Sequence, residues 1–237
     1  MSHARTVDPA FAGLPLHQLA DAALTRAREL GVTHADLRVE RIRSQHLRLR
    51  DASLEGRLDD QHTGFAVRVV HEGTWGFAAG VDLTAESAVR VAEQAVAIAR
   101  ATRPMNREPV ELADEPVHVG VSWISAYDVD PFEVPDADKV ALLAERSARL
   151  LAADGVDHVD AGAAQVLENK FYADLAGTTT TQQRVRVMPT LTAVRVDAGS
   201  GRFETMDTIA PPAGRGWEFL TGTGWDWDGE LDRLPEL

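Results

Sequence analysis

The sequence predicts an α/β fold of the α+β kind, with duplicated helix-then-antiparallel-sheet units whose helices pack on mixed or antiparallel sheets. Three observations predict it. Apolar residues recur at three-and-four spacing in three separate stretches, each closed by glycine or proline. Period-two alternation follows the first and the third of these stretches. The hexapeptide Gly31-Val32-Thr33-His34-Ala35-Asp36 returns 124 positions later as Gly155-Val156-Asp157-His158-Val159-Asp160, each copy after an amphipathic stripe and before a run of strands, as an internal repeat would place it.

The elements follow in chain order. Leu16, Leu19, Ala20, Ala23, Leu24, Ala27 and Leu30 line one face of a first helix, with Gly31 as its C-cap. From Asp36 to about Gly80 the period shortens to two: Leu47 and Leu49 alternate with Arg48 and Arg50, and Phe65, Val67 and Val69 alternate with Ala66, Arg68 and Val70. His71-Glu72-Gly73 lies between two such runs and reads as a hairpin turn. Thr84, with Glu86 in the first turn, starts a second helix that buries Ala88, Val91, Ala92, Ala95 and Ile98 and frays before Pro104. Pro104, Pro109, Pro116, Pro131 and Pro135 mark residues 104–135 as an extended connector crossing the surface. Asp136 caps a third helix burying Val140, Leu143, Ala144, Ser147, Leu150 and Leu151, closed by Gly155. Strands resume through Val185, Val187, Thr192, Val194 and Val196, turn at Gly199-Ser200-Gly201, and return through Phe203 and Thr205. The repeat units are therefore about 14–103 and 136–210, and 217–237 reads as a polar, acidic linker.

Composition narrows the function classes. The chain has 237 residues, 44% hydrophobic and 26% charged, enough apolar surface for a core and too much for disorder. No stretch without Asp, Glu, Lys or Arg exceeds twelve residues, whereas a membrane-spanning helix needs about 20 apolar ones. The opening Met1-Ser2-His3-Ala4-Arg5-Thr6-Val7-Asp8 shows no secretory h-region, so a cytoplasmic location is expected. With no cysteine there is neither a disulfide framework nor a thiolate, and only His, Asp and Glu remain as metal ligands. The formal net charge of -13 disfavours contact with a phosphate backbone.

No constellation in the chain makes a catalytic centre. His34-x-Asp36 and His158-x-Asp160 put two ligand types on one side of a strand, but their shared place after a helix favours a recurring turn in which His bonds backbone and Asp caps. His71-Glu72 begins like a zincin motif, yet Trp75 stands where the second His belongs. Ser200 lacks a nucleophile elbow and reads as a hairpin tip. Gly222-Thr223-Gly224 starts like a dinucleotide fingerprint, with no third glycine in place. Arg38, Arg41, Arg43, Arg48, Arg50 and Arg57 interleave with Glu40, Asp51, Glu55, Asp59 and Asp60, the pattern of a solvated, charge-paired sheet face. Trp217, Trp225 and Trp227 suit either a core plug or a partner contact. Catalytic residues: none; metal ligands: none; substrate-binding residues are not assigned by sequence.

At Gly64-Phe65-Ala66-Val67-Arg68-Val69 and Gly73-Thr74-Trp75-Gly76-Phe77-Ala78, followed by Asp82-Leu83-Thr84 and the Ala-rich helix, the chain resembles the N-terminal domain of the TldD/PmbA family of metallopeptidases, also called modulators of DNA gyrase. The resemblance continues through Glu168-Asn169-Lys170 to Gly214-Arg215-Gly216 and covers essentially the whole chain. It departs at Asp174-Leu175-Ala176-Gly177, where many members have Asn-Ser-x-Gly. The resemblance implies a two-part protein whose C-terminal domain carries zinc on an H-E-x-x-x-H helix, and dimers of like or related subunits that enclose a chamber where unfolded or modified peptides are cut. No H-E-x-x-x-H occurs here, and without two His on successive turns and a Glu beside the metal the chain is expected to be inactive alone. It then walls the chamber and pairs an exposed edge with extended peptide; no cofactor is expected in this chain, with zinc in the missing domain. The contrasting expectation is a non-catalytic module that binds a peptide or a partner. A downstream H-E-x-x-x-H in a longer reading frame separates the two. The gyrase name suggests DNA association, against which the net charge stands.

Overall fold

The computed structural model describes residues 6–222 and 224–236; the first five residues of the leader reading and Thr223 of the Gly222-Thr223-Gly224 run lie outside them. The chain opens with a short helix α1 (Pro9–Ala12) and then α2 (Leu16–Glu29), whose buried residues Leu16, Leu19, Ala20, Ala23, Leu24 and Ala27 are those of the apolar stripe. Gly31 follows at φ +80, where only glycine is unstrained. Two long strands, β1 (His34–Arg50) and β2 (Ser53–His71), pair antiparallel, and β3 (Thr74–Gly80) returns along β2. The two-residue turn Glu72-Gly73 has φ of 49° and 72°, the left-handed pair that matches strand twist in a tight hairpin. Thr84 then caps α3 (Ala85–Thr102) by accepting from the Ser87 N–H at 3.2 Å.

The connector is not wholly irregular. Within it β4 (Val121–Ile124) joins the sheet parallel to the strand that runs past it later. α4 (Asp136–Leu151) follows, then β5 (His158–Asp174), β6 (Thr179–Val196) and β7 (Phe203–Asp207). The expected Asp136 cap is corrected: Pro135 occupies that position, the helix has no side-chain cap, and the Asp136 carboxylate instead accepts from Arg57 and from Gln45. Ile98, expected inside, is 44% exposed, with Val96 and Ala99 buried in its place.

The seven strands among the described residues form one sheet in the order β3-β2-β1-β5-β6-β4, with β7 also on β6. The offset of 124 that aligns the two hexapeptides carries Arg43 to position 167, and Leu167 is the residue that faces Arg43 across the β1–β5 pair. The same offset carries the pair His34–Val70 of the first hairpin onto His158–Val194 of the second. A local two-fold axis through the Arg43–Leu167 pair thus relates the two hairpins, and the strand register itself expresses the duplication read in the sequence. Along β1 one set of alternate residues is covered: Ala35, Leu37 and Val39 lie under α2 and α3 in one apolar cluster, and Leu47 and Leu49 lie under α4 in another. The other set of alternate residues, on the face without helices, stays half-buried along β5. No helix among the described residues is long and apolar enough to cross a membrane.

Residues 217–236 do not run on as a linker. A 3-10 turn at Trp217–Phe219 and a helix α5 (Trp227–Arg233) fold back onto α4, and Trp217, Phe219, Leu220, Trp227, Leu231 and Leu234 are buried in the second cluster. Their spacing was hidden by the acidic residues between them, and the apolar area they remove from water outweighs the exposure of those acids.

Candidate functional site

Two places on the sheet gather chemistry. The first is a trough of about 660 Å³ on the helix-free face, over the β3-β2-β1 end. Its floor is made of small residues, Gly64, Ala66 and Ala79. Phe77 and Val81 rise on one side, Arg38, Glu40 and Ile42 on the other, and His62 stands at one end. Phe77 is 58% exposed and Val81 76%, so the trough presents apolar walls to solvent with an acid, a base and an imidazole at its rim.

The second is a polar seam on the helix-covered face, between the two apolar clusters. Here Lys139 is buried, and its ammonium donates to Gln45 Oε1 at 2.6 Å and lies 3.7 Å from Asp136. Gln165 also donates to Gln45, and Asn169 donates to Gln183 at 2.9 Å. Burial pulls the Lys139 amine below the 10.5 of a free lysine, against the opposing pull of Asp136. The unfolded chain therefore holds this proton over a pH window in which the folded chain has released it, and stability rises with pH across that window. Lys139→Met should remove that alkaline rise in a pH series of urea midpoints and cost less than about 1 kcal/mol at neutral pH, since it trades a desolvated charge for an apolar chain of similar volume. Gln45→Ala, which strips the ammonium of its nearest acceptor, should cost about 3 kcal/mol. Equal losses in both variants would show that the charge itself holds the seam.

The structure separates the residues singled out by sequence. His34 Nε2 lies 3.1 Å from Asp36 Oδ2, and the buried Asp36 carboxylate also accepts from Arg68 at 2.8 Å, with Arg38 at 3.4 Å. Burial pushes its pKa up, but the hydrogen bonds from His34 and Arg68 outweigh this and hold it below the usual carboxylate range. In the second copy His158 turns away from Asp160 to Asp51, at 2.9 Å, while Asp160 takes Arg50 at 2.8 Å. The expected turn, with His on backbone and Asp capping, is corrected in both copies, because arginines on neighbouring strands reach the carboxylates first.

His71 is buried beneath Arg100, and Glu72, in the hairpin turn, pairs with Arg103. Ser200 donates to Asp197 at a hairpin tip. The six arginines divide between the faces, with Arg41, Arg43 and Arg57 beside Asp8, Asp59 and Asp136 on the covered side, and Arg38, Arg48 and Arg50 beside Asp36 and Asp160 on the open one. They are charge-paired, as read, but not on one face. Trp217 and Trp227 plug the second cluster, with Arg146 stacked 4.9 Å over Trp227. Neither the trough nor the seam was singled out in the sequence. The period-two run Gly64-Phe65-Ala66, small on the open side and large on the covered side, carried the only signal of the trough.

The comparisons agree with this arrangement. Residues 35–99 match the family of PmbA/TldA metallopeptidase domain 1. No curated protein matches the chain. Among solved structures, a candidate modulator of DNA gyrase from Thermotoga maritima aligns at 15% identity over 93% of this chain and 47% of its own, with a TM-score of 0.66. A second such protein, from Bacteroides thetaiotaomicron, aligns at 11% identity over 93% and 48% with a TM-score of 0.68. TldE from Thermococcus kodakarensis aligns at 14% identity over 92% and 46% with a TM-score of 0.56. The chain spans about half the length of each of these proteins, and at such identities they share its fold. By sequence, then, the segment from β1 to α3 matches the first domain of the PmbA/TldA metallopeptidase family, and the chain as a whole shares the fold of these structures.

Proposed function

We propose that this chain is the substrate-facing and assembly domain of a PmbA/TldD-type zinc metallopeptidase, inactive by itself, that holds unfolded polypeptide for cutting elsewhere. The observation that carries this reading is the trough on the helix-free face. Its small-residue floor admits an extended chain, Phe77, Val81 and Ile42 offer apolar surface to that chain's side chains, and Arg38, Glu40 and His62 can meet its polar groups.

The described residues do not fit zinc. Asp36 is taken by His34 and Arg68 and Asp160 is paired with Arg50, His34 and His158 stand at opposite ends of the β1–β5 pair, and no three His, Asp or Glu side chains among the described residues converge on one point. A hydrolytic metal would need a segment bearing H-E-x-x-x-H, and no catalytic step is assigned to this chain. Its own residues bind and orient. A homologous subunit, like or unlike, completes the enclosure.

Titration with an unstructured peptide should shift the backbone amide signals of Ile42, Phe77 and Val81 and leave those of α4 in place. No shift along the trough would end the peptide-holding reading. Incubated alone with the same peptide, the chain should leave it whole; cleavage that a chelator abolishes would contradict the inactive assignment.

A further inference from the structure

The edges of the sheet are not treated alike. Where β2 runs on past the end of β3, its open edge carries Glu55, Arg57, Asp59 and Asp60 and a register break opposite Arg48 and Leu49, the charges and irregularity that discourage strand pairing. On the far side, β6 is flanked by β4 and β7, and between them its backbone meets Ser125 Oγ at Val185, Ala213 at Val187 and Thr208 Oγ1 at Leu191. β7 itself carries Glu204 and Asp207. β3 has none of these devices. From Thr74 to Val81 it holds no charge and no proline.

The outer edge of β3 is bare. His71 and Thr74 close the two-residue turn, so Thr74, Gly76, Ala78 and Gly80 bond to β2, and the N–H and C=O groups of Trp75, Phe77 and Ala79 point away from the sheet. Among the described residues none of these groups has a partner strand. Apolar surface surrounds them: Phe77 is 58% exposed, Val81 76% and Ile98 44%. Ile98 lies above this edge. α2 packs along the Glu93 and Arg100 side of α3, through Arg26 to Glu93 and Arg100 to the Leu30 carbonyl. At about 100° per residue, Ile98 faces the opposite flank, beyond β3. Its helical spacing marks it for burial, yet among the described residues nothing covers it fully and it stays 44% exposed.

We propose that β3 pairs with β3 of a second copy of this chain, antiparallel and centred on Phe77, to make one sheet continuous across two subunits. This rests on the assembly part of the function proposed above and names its partner and its strand. The strand fits its own two-fold image. Centred on Phe77, Trp75 meets the other copy's Ala79, Gly76 meets Ala78, Thr74 meets Gly80, and the whole strand is used. Centres at Gly76 or Ala78 leave residues at one end unpaired. No like charges oppose each other within the strand, and just beyond its ends Glu72 and Asp82 already carry Arg103 and Arg90. The two-fold also sets the α3 flanks side by side, covering Ile98, while both troughs stay open on the same side.

The absence of cysteine makes a direct test possible. The 237-residue chain should sediment at twice its 25.7 kDa mass. Under mild oxidation Phe77→Cys should cross-link to itself, because residues opposite each other on antiparallel strands lie within disulfide reach. Phe203→Cys, 71% exposed on the opposite edge, should not. Phe77→Glu and Ile98→Glu should each yield a monomer with unchanged helix and sheet content. A monomeric parent chain overturns the pairing, and so does a dimer that survives both glutamate variants or cross-links only through position 203. A monomer whose Trp75, Phe77 and Ala79 amide signals move on adding an extended peptide also overturns it and assigns the edge to peptide. The trough reading stands or falls separately, on the Ile42 and Val81 signals.

Discussion

Gly76→Ala is expected to lower the unfolding free energy by about 3 kcal/mol or more, an unusually large loss for one added methyl group. A Cβ at Gly76 would stand 1.9 Å from the carbonyl oxygen of Ala95 and 2.9 Å from the Ala99 Cβ. The obstacle is helix backbone, which cannot rotate out of the way as a side chain can. α3 would have to lift from β3, opening the cluster that Val91, Ala92, Ala95, Val96 and Ala99 close. The usual expectation runs the other way, since replacing glycine by alanine in an unstrained, open site stabilises by roughly 0.4–1 kcal/mol through the unfolded chain. Gly56 provides that contrast on the next strand, because nothing lies within 4 Å of its would-be Cβ. Urea denaturation of Gly76→Ala, Gly56→Ala and the parent chain at one pH measures both effects. If the two variants shift the midpoint alike, the close approach of α3 to β3 is not what holds this layer together.

Gly76 also shows what sequence can and cannot disclose. The G-x-W-G-F-A run was visible as a return strand, and its helix partner was visible as an Ala-rich stripe, since both are local patterns of period two and 3.6. That the second glycine of the run is where the helix touches the strand was not visible, because contact depends on how two distant elements are oriented. The same limit explains the rest. Periodicity shows which side chains share a face but not what covers that face, so Ile98 was read as buried while it projects past the last strand. Lys139 and Arg146 stand outside the apolar stripe that periodicity shows for their helix, yet they turn under it because the sheet beneath offers Gln45 and the C-terminal segment offers Trp227 and Asp228. The trough left only a faint local trace, small residues alternating with large, and the seam left none, its amides coming from β1, β5 and β6 and its lysine from α4. The hexapeptide repeat was legible because duplication copies local order. The two-fold relation it implies became concrete only in the β1–β5 register.

Trp227→Ala should cost about 3–5 kcal/mol, and the size of that loss decides whether the last stretch of the chain is part of the folded unit. Its indole is 1% exposed, packed among residues that include Leu220, Leu231 and Leu234 and covered by the Arg146 guanidinium at 4.9 Å. A polar linker would contribute almost nothing, and truncating an indole within it would leave the urea midpoint in place. Trp123, 51% exposed on β4, supplies the comparison: its removal should cost well under about 1 kcal/mol. The anchoring is reinforced from the other side. Glu218 accepts from the Val129 and Gly216 N–H groups at 2.9 Å each, and these bonds hold its carboxyl below the usual range despite the upward push of burial. They clip the connector to the C-terminal segment, with the Gly216 backbone so close to Val129 O that a Cβ there would lie 2.0 Å from it. If Trp227→Ala melts with the parent in circular dichroism, the second core ends at Ala213 and the tryptophans belong to a partner's surface. A loss of several kcal/mol places the folded unit's boundary beyond α5, so that any further domain must start from a rigid end fixed to α4.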